Sequence, residues 1–237
     1  MATPKIRNLY RDRSFYLWVS AAMVVVTFAG FARTYYLRGA FHAQPLTVFL
    51  HIHGAVMTGW IVLFLLQSVL IATHRVSLHR RLGLFGVFLA ALVVILGMTA
   101  TLHAAAREVR GNTEFVPLQL SVLALETTQL SLFAWFVGIA IWLRRSADIH
   151  KRFLLLATLC MLPNPEVRML PFIHSNLVFL LLWSAAVFTL VGIDALRSGR
   201  VHVAFLRGAV IANALLYFSY FGATTTAWRH FASQLVA

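Results

Sequence analysis

Seven apolar stretches, each long enough to cross a lipid bilayer, dominate this chain. A membrane-spanning helix needs about 20 mostly apolar residues, and a bilayer interior admits only helices or closed barrels. The stretches are continuous and lack the alternation of a barrel strand. We therefore predict an all-α fold, a polytopic membrane helical bundle that forms one integral-membrane domain over residues 1–237. The predicted transmembrane helices are 14–37, 46–73, 82–104, 118–143, 153–171, 175–196 and 207–228.

Basic residues are unevenly divided between the loops that join these segments. The chain has a net charge of +13, and alternate loops, starting with the N-terminal segment, hold fourteen of its 20 lysines and arginines. Loops rich in these residues usually face the cytoplasm, so the pattern predicts an N-in/C-out topology. We expect the inner (plasma) membrane of a bacterium, with membrane lipids as partners. Because the charges lie in short membrane loops, nucleic acid is not an expected partner.

Two of the basic loops resemble each other. Residues 77–82 read S-L-H-R-R-L and residues 148–153 read D-I-H-K-R-F, and each precedes an apolar segment. Bases near the cytoplasmic surface attract anionic lipid headgroups, so we interpret these as lipid-facing anchors, with a proton or lipid site on His79 and His150 as the alternative. The lipid-facing cytoplasmic bases are Arg80, Arg81, Lys151 and Arg152.

The same segments carry a family resemblance. L-H-R-R-L-G at 78–83, I-H-K-R-F-L-L-L-A-T at 149–158 and H-I-H-G at 51–54 resemble segments of uncharacterised bacterial multispan membrane proteins. More remotely, they are similar to the cytochrome b561-like transmembrane families, in which histidines on membrane helices ligate haem. The resemblance covers roughly residues 46–160, and it implies a helical membrane protein with haem b as a candidate cofactor.

Polar residues inside the apolar segments gather in the half of the membrane opposite the basic loops. Ionisable residues are expensive there and mark candidate functional sites. Imidazole and carboxylate groups suit iron, copper or zinc, and two facing histidines can hold haem. The predicted metal or haem ligands are His51, His53, His103, Glu126, Glu166 and His174, and the other predicted site-lining residues are Arg168, Asn164, Tyr217 and Tyr220.

Spacing refines some of these assignments. His51 and His53 lie about 200° apart around a helix, and His51 is the better candidate to face the bundle because it shares a side with small residues. Glu126 either pairs with a cation, proton or metal, or is a protonated group bonded to a neighbouring helix. Pro163 and Pro165 interrupt the fifth segment near mid-membrane, and broken membrane helices occur where backbone lines a cavity or is buried in protein.

Three functions fit these observations. The leading hypothesis is a metal- or haem-binding protein with redox chemistry near the outer face, because histidines and carboxylates cluster there. The second is a non-catalytic accessory or assembly subunit with membrane-protein partners, because the loops are short. The third is a small transporter, because discontinuous helices often form substrate sites. A retinal Schiff base is excluded, since the only lysines, Lys5 and Lys151, lie outside the apolar segments.

Overall fold

The computed structural model describes residues 4–170 and 175–237, and all regular structure within them is helical, as expected for an all-α fold. A π-helical turn, Ala32–Tyr36, directly continues the first helix. The helices are α1 (Pro4–Phe31), α2 (Val48–Ala72), α3 (Val76–Gly111), α4 (Val116–Trp142), α5 (Ala147–Leu159), α6 (Pro163–Met169), α7 (Asn176–Ser198), α8 (Val203–Gly222) and α9 (Thr226–Val236).

Within the described residues, six helical segments are long and apolar enough to cross a membrane, which supports an integral membrane protein. They are α1 from Ser14 through its π-helical turn, α2, α3, α4, α7 and α8. Large apolar side chains on these helices point outward, among them Leu84 and Phe218, each 77% exposed. Apolar residues around the whole circumference are typical of helices surrounded by lipid.

The predicted fifth span is not a continuous helix. It is divided into α5, with 13 residues, and α6, with 7 residues, and neither is long enough to cross a bilayer alone. The cause is Pro163, which has no N–H to donate to the carbonyl of Leu159 four residues earlier. That carbonyl instead accepts from the backbone N–H of Leu162, at 3.1 Å, and from the indole Nε1 of Trp183 in α7, at 2.9 Å.

Side-chain contacts define two ends of the bundle. At one end, which we call the basic end, the start of α3 meets the start of α5, and Arg152 of α5 meets Asp194 near the end of α7. At the opposite end, Tyr35 in the π-helical turn contacts the start of α2. Arg168 of α6 lies 4.6 Å from the Phe31 ring at the end of α1, so α5 and α6 together lead from the basic end towards the opposite end.

The described buried residues form two separate hydrophobic clusters. The larger one extends through the bundle, and its bulkiest fully buried side chains include Trp183, Phe133 and Phe205. The smaller one lies at the opposite end and joins α3, α4 and α9. There the indole Nε1 of Trp228, just inside α9, donates to the carbonyl of Leu120 at 2.9 Å. The last predicted span, 207–228, therefore ends earlier, at Gly222, and α9 packs as a separate short helix.

Candidate functional site: a cavity beside the broken helix

A cavity of about 80 Å³ lies between α4, α6 and α7. This volume holds several water molecules or one small solute. Polar side chains from all three helices reach it, and aromatic rings from α7 form part of its apolar wall. The polar lining residues are Glu126, Gln129, Asn164 and Asn176, and the aromatic ones are Phe179 and Trp183. The break between α5 and α6 contributes directly, because Pro163 and Asn164 at the start of α6 line the cavity.

Among the described residues that line the cavity, Glu126 is the only ionisable one. Its Oε2 accepts a hydrogen bond from Thr101 Oγ1 of α3, at 2.5 Å. Its Oε1 makes no hydrogen bond within the part of the chain that the structure describes. Gln129 is three residues further along α4 and therefore lies on the same helix face. One carboxylate oxygen is thus held in place, while the other has no hydrogen-bond partner among the described residues.

Arg168 lies near this site without lining it. Its Nη1 donates to the carbonyl of Asn164 at 3.1 Å, and its guanidinium lies over the ring of Phe31. It is close enough to Glu126 for electrostatic attraction. Glu166, two residues before it, is half-buried, and its Oε2 has no hydrogen-bond partner among the described residues. The two charged residues of α6 are therefore not paired with each other.

The predicted histidine ligands do not form one group within the described residues, although the rings of His53 and His103 both lie beside the ring of Phe49, at 6.5 and 5.6 Å between centroids. His51 is exposed and close to Arg38, at 3.5 Å between Nε2 and Nη1, whereas His53 is half-buried. This reverses the expectation that His51 faces the bundle, because the small face of α2 packs against the π-helical turn at Tyr35 instead. His103 is exposed, and His174 lies outside the described residues. Among the described residues, no three His, Cys, Asp or Glu side chains form a group that could hold a metal ion.

The two tyrosines predicted to line a site lie on α8, away from the cavity. The hydroxyl of Tyr217 accepts from Ser184 Oγ of α7 at 3.4 Å, and Asn213, one turn earlier, is buried. Tyr220 is half-buried at the edge of the main core. This polar stripe therefore faces neighbouring helices, and its observed contact is an interhelical hydrogen bond.

Arg152 requires a correction, because it is not a lipid-facing base. It is 3% exposed, and its guanidinium makes two hydrogen bonds to the carboxylate of Asp194, which is also 3% exposed. The distances are 2.9 Å from Nε to Oδ2 and 3.0 Å from Nη2 to Oδ1. Tyr16 of α1 donates to the same carboxylate at 3.5 Å. The pair therefore joins α1, α5 and α7 inside the basic end.

Residues around the pair of Arg152 and Asp194 limit the positive charge beside it. Lys151 forms an ion pair with Asp148 at 2.9 Å and lies over the ring of Tyr16, whereas Arg80 and Arg81 are exposed. The hydrogen bond from Lys151 lowers the pKa of Asp148, and the charge of Arg152 lowers it further. Burial, followed by the charge of Arg152, lowers the pKa of the imidazole of His202. At neutral pH, Asp148 is therefore ionised and the imidazole is neutral, which limits the positive charge near the buried guanidinium.

The histidines of the two similar loops meet at the basic end. The rings of His79 and His150 are 6.3 Å apart between centroids and perpendicular. His150 Nδ1 is 2.8 Å from the carbonyl of Ala140, so this nitrogen carries the proton and Nε2 is left as the basic nitrogen. The side-chain amide of Gln67 is assigned the orientation in which both its oxygen and its nitrogen have hydrogen-bond partners. In this orientation its nitrogen donates to His79 Nδ1 at 2.6 Å. The sequence analysis offered a site on these two histidines as the alternative to lipid anchoring, and the structure brings their rings together.

Comparisons with protein-family models, with curated proteins and with solved structures return no match. Function therefore has to be argued from the chemistry of the site. The cavity combines one carboxylate, three side-chain amides and aromatic rings. Carboxylate and amide oxygens accept hydrogen bonds, and aromatic faces attract cations. This arrangement can bind a small cation that carries several hydrogen-bond donors.

Proposed function

We propose that this integral membrane protein binds a small organic cation in the cavity between α4, α6 and α7 and carries it across the membrane. The observation that supports the proposal is Glu126, which lines a cavity beside a broken helix and whose Oε1 has no hydrogen-bond partner among the described residues. A carboxylate within an apolar bundle is expensive unless a cation or proton accompanies it. Arg168 is attracted to this carboxylate, but it does not line the cavity and its guanidinium contacts the backbone carbonyl of Asn164 and the ring of Phe31. The cavity is therefore left for a cation from outside.

The size and walls of the cavity favour a planar cation of a few atoms. A guanidinium group presents N–H donors in a fixed fork that matches a carboxylate, and it stays charged at all physiological pH values. The amides of Gln129, Asn164 and Asn176 offer further acceptors, and the rings of Phe179 and Trp183 form the aromatic part of the wall. Guanidinium is therefore the probe that we would use first.

The break between α5 and α6 supports transport rather than binding alone. In many transporters, substrate sites are formed by discontinuous helices, whose ends meet near the middle of the membrane. Here the first residues of α6 line the cavity. The carbonyl freed by Pro163 is stabilised by Trp183, which is itself a cavity residue. Movement of α6 would therefore change the hydrogen bonding of the break and the shape of the site together.

Replacing Glu126 with Gln should weaken guanidinium binding. We expect an affinity about 10- to 100-fold lower, equivalent to ~1.4–2.7 kcal/mol, because the charge is lost while the side-chain shape is kept. Binding of radiolabelled guanidinium to the detergent-purified protein measures this effect. Glu114→Gln, at an exposed position between α3 and α4, is the control. Equal guanidinium affinity in the wild type and in Glu126→Gln would refute the proposed site.

We further propose that the basic end faces the cytoplasm and that α5 and α6 together form one crossing, which gives seven crossings in all. The loop charges support this orientation, and the course of α5 and α6 between the two ends supports the seventh crossing. A reporter enzyme fused after Ala237 should then be active only on the outer side. Cytoplasmic activity of this fusion would be incompatible with the seven-crossing, N-in arrangement.

Haem b or a single transition metal, with redox chemistry, is a second candidate. It is favoured by the pair of His79 and His150 at the basic end, since His150 has its Nδ1 held by a backbone carbonyl, which is how metal-binding histidines are commonly oriented. The purified protein should then show a Soret band, or stoichiometric iron, copper or zinc, that His79→Ala removes. Lack of both signals in the wild-type protein would eliminate this candidate.

A further inference from the structure

We propose that Glu166 carries a proton in exchange for the cation, so that transport is driven by a proton gradient. This inference rests on the proposed function, because it assigns the coupling ion of the same site. Glu166 is not among the residues that line the cavity, but it lies on α6, two residues after the cavity residue Asn164. One short helix of seven residues thus carries both a contact to the cavity and a separate, half-buried carboxyl group whose Oε2 is inaccessible to solvent.

The environment of Glu166 favours a bound proton over a charge. Its Oε2 is inaccessible to solvent and has no hydrogen-bond partner within the described residues. A charged carboxylate in such a place loses its hydration without compensation, whereas a protonated one is neutral. A carboxyl group of this kind holds a proton while the surrounding helices stay packed, and it can release the proton when water reaches it.

The described charged side chains near Glu166 do not pair with it, so they do not offset a negative charge on its carboxyl group. The helices packed against α6 are α1 and α7, and their described charged side chains lie elsewhere. Arg33, in the turn that follows α1, lies over Phe41, and Asp194 and Arg197 of α7 lie at the basic end. On α6 itself, Arg168 is directed to Asn164 and Phe31. Glu126 and the half-buried His53 are the titratable groups that interact electrostatically with Arg168.

The contact between α1 and α6 offers a route by which the proton can reach water. Gly30 of α1 allows Pro165 of α6 to approach its backbone closely. One turn earlier on α1, the buried Thr27 also has a hydroxyl without a partner among the described residues. Two unsatisfied polar groups thus belong to helices that meet at one tight contact. A small displacement of α6 from α1 would admit water, which satisfies such groups and accepts protons.

Charge balance indicates that the cation and the proton move in opposite directions. Without a ligand, Glu126 and Arg168 carry opposite charges and a protonated Glu166 adds none. Entry of a cation adds one positive charge, and release of the proton from Glu166 to water removes one, so the buried charge returns to its starting value. Charge in a membrane interior is expensive, so the two events favour each other. The O–H bond of Glu166 re-forms with a proton from the other side after the cation leaves.

Glu166→Gln separates coupling from binding in the full-length protein in liposomes. Exchange of labelled for unlabelled guanidinium without a proton gradient should stay within about twofold of wild type, because neutral Gln mimics the protonated acid. Accumulation of guanidinium driven by a proton gradient should fall at least about tenfold, and so should the proton flux seen by a trapped pH-sensitive dye. Glu114→Gln, at an exposed position, should match wild type in all three measurements.

The outcomes distinguish the two proposals. Gradient-driven accumulation that persists in Glu166→Gln overturns the role of Glu166, and so does loss of exchange together with accumulation, because that pattern indicates a structural or binding residue. A wild-type protein without any guanidinium exchange rejects the proposed substrate instead.

Infrared spectroscopy then tests the proton independently of any substrate. The carbonyl band of a protonated carboxylic acid should be present in the wild type, shifted in Glu166→Asp and missing in Glu166→Gln. A spectrum unchanged by both substitutions overturns the inference.

Discussion

Arg152→Met should destabilise the protein strongly, by roughly 3–5 kcal/mol, because it leaves the buried carboxylate of Asp194 without its cation. The two side chains are each 3% exposed and are joined by two hydrogen bonds, so water cannot readily replace the guanidinium. Among the described residues, Asp194 would then retain only the longer hydrogen bond from Tyr16. The free energy of unfolding in mixed detergent micelles, followed by tryptophan fluorescence, measures this change.

The double variant Arg152→Met with Asp194→Leu tests the reason for the loss. Replacing both members of a buried pair with apolar residues is often neutral or stabilising, so the double variant should recover most of the stability. Arg81→Met, at an exposed position, should change it by less than about 0.5 kcal/mol. A double variant less stable than Arg152→Met alone would contradict the explanation that the unpaired carboxylate of Asp194 causes the loss.

Gly30→Ala should separate α6 from α1. A Cβ at Gly30 would lie 2.6 Å from Pro165 Cα and closer still to the Pro165 carbonyl oxygen. Both are backbone atoms, which cannot move aside as a flexible side chain can. We expect a loss of roughly 1–3 kcal/mol, as for other overpacked contacts, despite the higher helix propensity of alanine.

Gly192→Ala is a matched control on α7, where a Cβ would have no other atom within 4 Å. It should be neutral or stabilising by up to about 1 kcal/mol, because alanine favours the helix. Thermal unfolding of both variants in detergent gives the comparison. A Gly30→Ala protein as stable as Gly192→Ala would mean that the close approach of α1 and α6 is not required for the fold.

Much of the architecture could be predicted from apolar length and proline chemistry. Six of the predicted spans correspond to helices long enough to cross a bilayer. The interruption of the fifth follows from Pro163, whose missing N–H acts locally and does not depend on tertiary packing. Glu126 stood out as a carboxylate inside an apolar segment, and the structure places it beside a cavity. Residue type and position within a helix were sufficient for these features.

The rotation of each helix about its axis could not be predicted in the same way. His51 and His53 are both plausible from composition, and only packing against Tyr35 determines which one is exposed. Arg152 and the exposed Arg81 occupy the same position in the two similar basic loops. Its burial depends on Asp194, which is 42 residues away in the sequence. An acidic residue near the end of an apolar segment does require a cation, but the sequence does not say which one.

The small, separate cluster that holds α9 predicts a local unit that opens more readily than the larger cluster. The buried contacts of α9 belong to the small cluster with the ends of α3 and α4. Unfolding of such a unit does not require the larger one to open. Amide hydrogens of α9 should therefore exchange with solvent well before those of α4 and α7. The C-terminus can accordingly serve as an attachment point for fusions and surfaces while the helices around the cavity keep their native packing.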